Sequence, residues 1–310
     1  MRVSRRTCCL VLSQALCYAI AQAADAPGAW SLKSPMPSAR SEVGVAAIGT
    51  TMYVVGGFGT PDEARVDAFD AAKNAWTTPA PLPHGVDHPG VAALDGKLYV
   101  AGGYAPRHGA TSAAFVYDPA TNAWRNIAPL PADRGALAMT VLDGKIHAIG
   151  GNRGGSVPDH SVYDPKANAW TSAAPLPVGR DHLAVVALGG KIYAIGGRIN
   201  SFDRNVDRND IYDPKTDRWS SGAPLPTARS GVAAAAYRGR IVVIGGESPP
   251  GTFTQNEAYD PTSNAWATLA PLSQGRHGTG ATVIGDVLYV PAGGPTPGGS
   301  QSNTLFAFSF

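Results

Sequence analysis

Cysteine, charge and long hydrophobic runs are all scarce in this 310-residue chain. Its three cysteines, Cys8, Cys9 and Cys17, all lie near the N-terminus. Charged residues make up only 15% of the chain, and beyond the N-terminus no apolar stretch is long enough to cross a membrane. Hydrophobic residues nevertheless reach 44%, so we expect a large folded core and not a disordered chain. The 37 glycines and 26 prolines predict many turns.

The first 23 residues have the layout of a secretory signal peptide. Basic residues precede a short apolar run, and Ala21-Gln22-Ala23 supplies small residues for cleavage. We therefore expect residues 1–23 to be removed, residues 24–310 to form one domain, and the protein to be periplasmic or secreted by a bacterium. An N-terminal membrane anchor is the alternative, although Gln14 interrupts the apolar run.

Cleavage at this point would change the chemistry open to the protein. The three cysteines would leave with the peptide, so the mature chain would have no disulfide and no thiol nucleophile. Three of the 25 basic residues would also leave, and the remaining 22 against 23 acidic residues give a formal charge of −1. That balance gives no indication of a nucleic-acid partner, and we expect no membrane span after cleavage.

The six tryptophans mark an internal repeat with a period of 46 to 49 residues. The position ten residues after each tryptophan is an arginine in five units and Val86 in the other. A glycine pair begins 16 residues after this position in five units, and 17 residues after it in the last, where the pair is Gly293-Gly294. The tryptophans are Trp30, Trp76, Trp124, Trp170, Trp219 and Trp266.

Each unit predicts four β-strands. Two-residue signals such as Asp95-Gly96 tolerate the positive φ that a tight β-turn requires, and they separate the first strand from the second. The third strand ends at a Tyr-Asp-Pro turn in four units, after which Asn122, Asn168 or Asn264 can adopt the left-handed conformation before the tryptophan strand. No segment shows a helical period, so the sequence predicts an all-β fold.

The order of arginine, glycine pair, Tyr-Asp-Pro and tryptophan resembles the kelch repeat over essentially the whole mature chain. This resemblance implies a six-bladed β-propeller with four-stranded blades. A tryptophan strand at Trp30 precedes the first unit, and the last unit ends at Phe310 without one. We therefore expect the Trp30 strand to complete the last blade and to remove an open sheet edge.

One connection in the repeat varies in length. The segment from the glycine pair to the third strand spans 12 to 15 residues, whereas the other intervals are nearly constant. Variable loops on a rigid frame usually mark a binding surface, so we expect the ligand on this face and at its central channel. The arginines lie on the same face and either brace the scaffold or form a ring of anion-binding guanidinium groups; these candidates are Arg40, Arg134, Arg180, Arg229 and Arg276.

Residues that break the repeat on this face are the better functional candidates. They follow either the arginine position or the glycine pair, and they differ from unit to unit. Asp181 and His182 are neighbours in a predicted strand and should point to opposite faces, so a solvated His182 is the simpler interpretation. The further candidates for ligand binding are Glu42, Asp87, His88, Tyr104, Asn152, Asp181 and Arg198. The candidates for catalysis are Glu247, His277 and His182.

The sequence predicts neither a metal site nor a cofactor. The histidines show no metal-ligand spacing apart from His84 and His88, which flank three residues in a strand approach and not in a helix. Kelch-type galactose oxidases use copper and a tyrosine crosslinked to cysteine, and a mature chain without cysteine lacks that chemistry. No serine-nucleophile, phosphate-loop or paired-carboxylate motif is present.

Two classes of function remain, and the sequence leaves open whether the protein is an enzyme. The first is an exported binding module that holds a small anionic carbohydrate, a peptide or a partner protein on the variable-loop face. The second follows from a resemblance to bacterial exported kelch proteins that mutarotate or epimerise N-acetylneuraminate. It would need an acid–base pair, Glu247 with His277 or His182, and arginines that bind the substrate carboxylate.

Overall fold

The computed structural model describes residues 27–59 and 63–310, and the expected signal peptide at residues 1–23 lies outside them. Regular structure in these two ranges consists of β-strands alone. A helix long and apolar enough to span a bilayer does not occur among the described residues. The prediction of an all-β fold is confirmed.

The strands form six four-stranded antiparallel sheets, the blades of a propeller. An N-terminal strand, β1 (Ala29–Leu32), comes before the first blade. The first blade contains β2 (Gly44–Ile48), β3 (Thr51–Val55), β4 (Val66–Asp70) and β5 (Ala75–Thr77). The second contains β6 (Gly90–Leu94), β7 (Lys97–Ala101), β10 (Ala114–Asp118) and β11 (Ala123–Asn126), with a short hairpin of β8 (Tyr104–Ala105) and β9 (Gly109–Ala110) between β7 and β10.

The other four blades follow in chain order. The third contains β12 (Ala138–Leu142), β13 (Lys145–Ile149), β14 (His160–Asp164) and β15 (Ala169–Ser172), and the fourth contains β16 (Ala184–Leu188), β17 (Lys191–Ile195), β18 (Asn209–Asp213) and β19 (Arg218–Ser221). The fifth contains β20 (Ala233–Tyr237), β21 (Arg240–Ile244), β24 (Asn256–Asp260) and β25 (Ala265–Thr268), with a hairpin of β22 (Glu247–Ser248) and β23 (Gly251–Thr252). The sixth contains β26 (Thr282–Ile284), β27 (Val287–Pro291) and β28 (Leu305–Ser309).

The N-terminal strand completes the sixth blade, as the sequence predicts. Strand β1 pairs antiparallel with β28, and Trp30 lies opposite Phe308. The sheet order is β1-β28-β27-β26, so one blade is built from both ends of the propeller. This closure gives the last blade four strands like the others and covers the edge of β28, so that β1 is the outer strand of the blade.

The tryptophans of the outer strands join neighbouring blades. Each indole N–H donates a hydrogen bond of 2.7–2.9 Å to a backbone carbonyl of the preceding blade, for example from Trp124 to Ala80. The predicted left-handed asparagines assist them. Asn122, with φ of +48°, accepts hydrogen bonds from the Ala80 amide and from the Tyr117 hydroxyl. The repeated residues of the outer strands therefore fix the spacing between blades.

The glycine pairs perform the same role near the axis. The amide of the second glycine donates to the carbonyl of the arginine position in the next blade, over 2.7–3.0 Å. A Cβ on the first glycine would approach that carbonyl oxygen far too closely, to 2.5 Å at Gly102. In the sixth blade Ala292 (φ of +59°) and Gly293 occupy these positions, and Gly293 donates to Arg40. The assignment of the last pair to Gly293-Gly294 was wrong by one residue.

The five repeat arginines are buried and hold together the strands of their own blades. Their residues are 0–1% exposed. Arg229 donates to the carbonyls of Gly245 and Val243 in its own blade and lies 2.5 Å from a Glu257 carboxylate oxygen. Arg180 makes the same kind of contacts, with Asp210 at 2.8 Å. These side chains thus hold their guanidinium groups against carbonyls and a carboxylate of their own blade.

We predict that Arg229→Met destabilises the protein by about 3–5 kcal/mol, because it leaves the Glu257 carboxylate buried without its partner. Urea unfolding measures the effect. Arg218→Met, on the exposed edge of β19, is the control and should change the stability by less than about 0.5 kcal/mol. Adding Glu257→Leu to Arg229→Met should recover part of the loss. Equal unfolding midpoints for Arg229→Met and Arg218→Met would contradict this role.

A buried histidine pair lies in the third blade at positions that hold Tyr193 and Asn209 in the fourth. His147 Nδ1 lies 2.8 Å from His160 Nε2, and His160 Nδ1 contacts the Ala174 carbonyl. Burial is the main cause that lowers the pKa of His147 to about 3 and that of His160 to about 4. Both side chains are therefore neutral in the folded protein near neutral pH.

We predict that this pair makes the protein acid-sensitive. As the pH falls below about 6.5, the histidines of the unfolded chain take up protons before the folded ones. Stability is therefore lost from about pH 6.5 down to about pH 4 for His160 and about pH 3 for His147. Between about pH 6.5 and pH 5 the free energy of unfolding should fall by about 2 kcal/mol per histidine. The variant His147→Tyr/His160→Asn, which copies the fourth blade, should lose less over this range in thermal unfolding scans. The same acid dependence in both proteins would refute the prediction.

Candidate functional site

Three variable positions of each blade meet at the variable-loop end of the axis. The residue after the arginine position forms an isolated antiparallel bridge with the residue after the glycine pair. These bridges join Asp87 to Tyr104, Gly135 to Asn152, Asp181 to Arg198, and Ser230 to Glu247. In the sixth blade the bridge joins His277 to Gly294, which follows from the shifted pair. The fold thus brings together the residues in which the blades differ.

The third variable position lies two residues after the arginine position. Its six residues form a closed ring of backbone hydrogen bonds around the axis, here called the axial ring. The amide of each member donates to the carbonyl of the member in the preceding blade, over 2.6–3.1 Å, and the sixth closes onto the first. All six residues have φ between +50° and +65°. The axial ring consists of Glu42, His88, Ala136, His182, Gly231 and Gly278.

This conformation corrects the expectation for Asp181 and His182. Regular strand pairing would point them to opposite faces, but the φ of +53° at His182 interrupts the alternation. His182 Nδ1 therefore lies 2.6 Å from an Asp181 carboxylate oxygen, and both residues line the same cavity. The His182 side chain is only 7% exposed, so the interpretation of a solvated surface histidine was wrong.

The cavity above the axial ring, here called the mouth pocket, has a volume of about 390 Å³. It combines three aromatic side chains with carboxylates, amides, imidazoles and one guanidinium group. Its lining residues are Phe58, Asp87, His88, Tyr104, Asn152, Asp181, His182, Arg198, Asn200 and Phe202.

Two Asp–His pairs face each other across this site. His88 Nδ1 lies 2.5 Å from Asp87, as His182 Nδ1 does from Asp181 at 2.6 Å, and the two imidazole rings meet edge to face at 4.9 Å. Burial lowers the pKa of His182, and its Asp181 partner only partly opposes this effect. Burial also disfavours the charged form of His88, but the carboxylates of Glu42 and Asp87 raise its pKa to about 9. The two imidazoles therefore carry different charges near neutral pH.

Glu42 is the centre of the charged groups on the axis. Its two carboxylate oxygens lie 3.0 Å from His88 Nε2 and 3.1 Å from His277 Nδ1. Although burial opposes ionisation, these two histidines hold the pKa of Glu42 well below its usual range. Glu247 lies 3.2 Å from the same His277 nitrogen. Glu247 and His277, predicted as a catalytic pair, are thus in contact, but both are almost completely buried.

Arg198 is the arginine that lines the mouth pocket. Its guanidinium group contacts Asp181, Glu247 and the Nε2 atom of His182, at 2.9–3.2 Å, and lies against the ring of Phe202. Across the pocket, burial and the nearby Asp181 and Asp87 raise the pKa of Tyr104 to about 12, so its phenol stays protonated.

The structure separates the predicted site residues into two groups. The ten that break the repeat converge on the axial ring and the mouth pocket: Glu42, Asp87, His88, Tyr104, Asn152, Asp181, His182, Arg198, Glu247 and His277. The five repeat arginines do not line the mouth pocket, because burial and carbonyl contacts hold them inside their blades. This geometry supports the structural alternative for Arg40, Arg134, Arg180, Arg229 and Arg276.

Sequence reasoning missed three residues of the mouth pocket. Phe58 follows a glycine pair, and this position alone was a usable signal. Asn200 and Phe202 lie in the loop after β17, which is one of the two longest variable loops. No repeat position could be assigned to them, so only their place in that loop pointed to the site.

The fold of this chain is similar to that of a solved protein structure. The solved structure of YjhT superimposes with a TM-score of 0.77 at 20% sequence identity, covering 88% of this chain and 95% of that one. At this identity the likeness shows the fold alone. No curated protein sequence matches the chain.

Family models match most of the repeat region. The KLHDC2/KLHL20/DRC7 Kelch-repeats domain matches residues 29–197, which is more than half of the chain. The Kelch motif matches residues 179–226 and 228–273. Together with six four-stranded blades, these matches show that the chain belongs to the kelch-repeat family.

Proposed function

We propose that the protein is a binding module that holds a small, hydroxyl-rich ligand of the carbohydrate class in the mouth pocket. One observation carries the proposal: the fold gathers aromatic rings and fixed polar groups, all exceptions to the repeat, in one cavity of about 390 Å³. Small-molecule sites typically occupy roughly 300–1,000 Å³ and combine apolar walls with a few oriented polar groups. A concave pocket of this kind favours a small ligand over a partner protein.

The walls of the pocket suit a sugar ring. Phe58, Tyr104 and Phe202 offer apolar surface to the C–H faces of a sugar. Asn152 and Asp181 offer hydrogen-bonding groups to hydroxyls, and the protonated Tyr104 phenol offers a donor. Because all of these residues except Phe202 lie on bridges between strands, their positions are set before a ligand arrives.

The charges of the pocket favour a neutral sugar over the anionic carbohydrate expected from the sequence. Arg198 is already paired with Asp181 and Glu247, and the charged His88 is already paired with Glu42 and Asp87. A ligand carboxylate would have to compete with these side chains for the one guanidinium group of the pocket.

We also propose that the protein is exported to the periplasm or beyond, on the strength of residues 1–23.

A second candidate function, acid–base catalysis on the same ligand class, is favoured by the two Asp–His pairs. A histidine whose other nitrogen is held by an aspartate can exchange protons with a bound hydroxyl near neutral pH. In mutarotation a base removes the proton of the anomeric hydroxyl while an acid protonates the ring oxygen, and the ring opens and closes without net change. His182, neutral because of burial, would serve as the base after a ligand displaces Arg198.

We predict that a neutral monosaccharide or short oligosaccharide binds in the mouth pocket and that Phe202→Ala weakens it about tenfold, because an aromatic contact is lost. Saturation-transfer NMR with neutral and acidic sugars identifies binders, and calorimetry measures their affinity. Phe310→Ala removes a partly exposed phenylalanine outside the pocket and should leave the affinity unchanged. The proposal fails if no sugar binds, or if both variants bind equally well.

We predict that, if the second candidate function holds, the protein accelerates anomer exchange of the bound sugar and His182→Gln abolishes the acceleration. Exchange NMR with D-glucose and with N-acetylneuraminate measures the rate against the spontaneous one. Thermal unfolding of the variant controls for the fold. An exchange rate equal to the spontaneous one for every sugar that binds would eliminate catalysis and leave the binding function.

A further inference from the structure

Imidazole and carboxylate groups from five blades converge on the axis, although they lie far apart in the sequence. Glu42, His88 and His182 place one potential ligand atom each within 4.8 Å of one another, and Glu42, Glu247 and His277 do the same. The expectation of no metal site rested on histidine spacing along the chain. That criterion does not detect ligands contributed by different blades.

We propose that Glu42, His88 and His182 bind a single divalent transition-metal ion at the floor of the mouth pocket. Two imidazole nitrogens with one carboxylate oxygen form a ligand set that suits Zn²⁺ and related borderline ions, with a fourth position open. The site goes beyond the proposed sugar binding and does not depend on it.

The orientations of both imidazole rings fit metal ligation. Nδ1 of His88 is held by Asp87, and Nδ1 of His182 is held by Asp181, so Nε2 of each ring is directed to the axis. Metal-binding histidines almost always donate their other N–H to a carboxylate or carbonyl in this way, which fixes the ring and raises its basicity. Here the feature appears twice, at equivalent positions of two blades.

The distances and the free space also fit. Glu42 Oε2 lies 3.0 Å from His88 Nε2, and two ligand atoms bound to one tetrahedral ion lie roughly 3.3 Å apart. A cavity of about 80 Å³ borders all three ligands, which is room for an ion and a bound water. Small movements of the side chains would therefore suffice to complete the site.

His277 lies next to the proposed site and orients one of its ligands, Glu42. Its side chain is completely buried, and Nδ1 is directed at Glu42 and Glu247 without a hydrogen bond of ordinary geometry. Nε2 contacts the Thr296 carbonyl, so His277 also has one fixed nitrogen and one directed at carboxylates. The contact between His277 Nδ1 and Glu42 Oε1 orients the carboxylate so that its other oxygen, Oε2, faces His88.

Two contacts in the structure oppose the ion. His88 Nε2 and Glu42 Oε2 lie 3.0 Å apart and share a proton that the metal must displace. Arg198 Nη2 lies 2.9 Å from His182 Nε2, the atom that would ligate the metal. Metal binding therefore requires Arg198 to move away, and Arg198 and the ion compete for the same nitrogen. This competition gives the proposal a consequence that general affinity of surface histidines for metals does not share: removal of Arg198 should strengthen metal binding.

We predict that the untagged full chain, with its cysteines alkylated, binds one Zn²⁺ ion with micromolar or tighter affinity. Competition with a chromophoric chelator measures the affinity. The visible absorption spectrum of bound Co²⁺ shows whether the site has low coordination. Glu42→Gln and His182→Gln should each weaken binding at least about 100-fold, because each removes a direct ligand. His84→Gln, at an exposed histidine outside the cluster, should have no effect. Arg198→Met should tighten binding.

The controls separate this site from folding and from the sugar pocket. Zn²⁺ should raise the unfolding temperature of the wild-type chain and of His84→Gln, but not that of Glu42→Gln. No stoichiometric binding, or equal affinity in His182→Gln and His84→Gln, would overturn the metal site. Sugar binding that persists in a chelator while zinc binding fails overturns this inference alone. Zinc binding without binding of any sugar overturns the proposed function alone.

Discussion

The closed ring of six hydrogen bonds around the axis is the constraint on which the site depends. Each bond requires its residue to adopt positive φ, a conformation that costs a non-glycine side chain roughly 1–2 kcal/mol. Glycine would be the least costly residue at every position, and it occurs in two blades. The other four members accept the strain: Ala136 and the three proposed metal ligands, Glu42, His88 and His182. Backbone strain retained at polar residues is typical of functional sites.

Repetition within the chain predicted the scaffold well because each repeated residue makes a repeated contact. The tryptophans, the glycine pairs and Asn122 with its equivalents all hold one blade to the next in the same way. The paired strand β1 followed from the absence of a tryptophan strand at the C-terminus. The last glycine pair was misplaced because Ala292 adopts the positive φ that the other blades assign to glycine, and a sequence does not display φ.

The site was only partly predictable, for a related reason. Its members were found by asking where the blades differ, which selected Asp181, His182 and Glu247, and the structure places these three residues near one another. The contacts between these residues were not predicted. Regular strand alternation was assumed to apply at Asp181 and His182, but the positive φ of the axial ring interrupts it. Arginine shows the same limit. Arg180 and Arg198 are chemically identical, yet one is sealed inside its blade and the other lines the mouth pocket.

The two ends of the axis also show why the chemistry is confined to one of them. Beyond the axial ring, the inner strands surround a channel of about 470 Å³ lined mainly by alanine, valine and glycine. Side chains on this wall lie where six strands converge, so small apolar residues recur in every blade and leave little to distinguish one from another. At the axial ring the left-handed turn lifts the side chains out of that packing. There, and at the bridges beside it, the blades carry different polar groups without disturbing the contacts that hold the propeller closed.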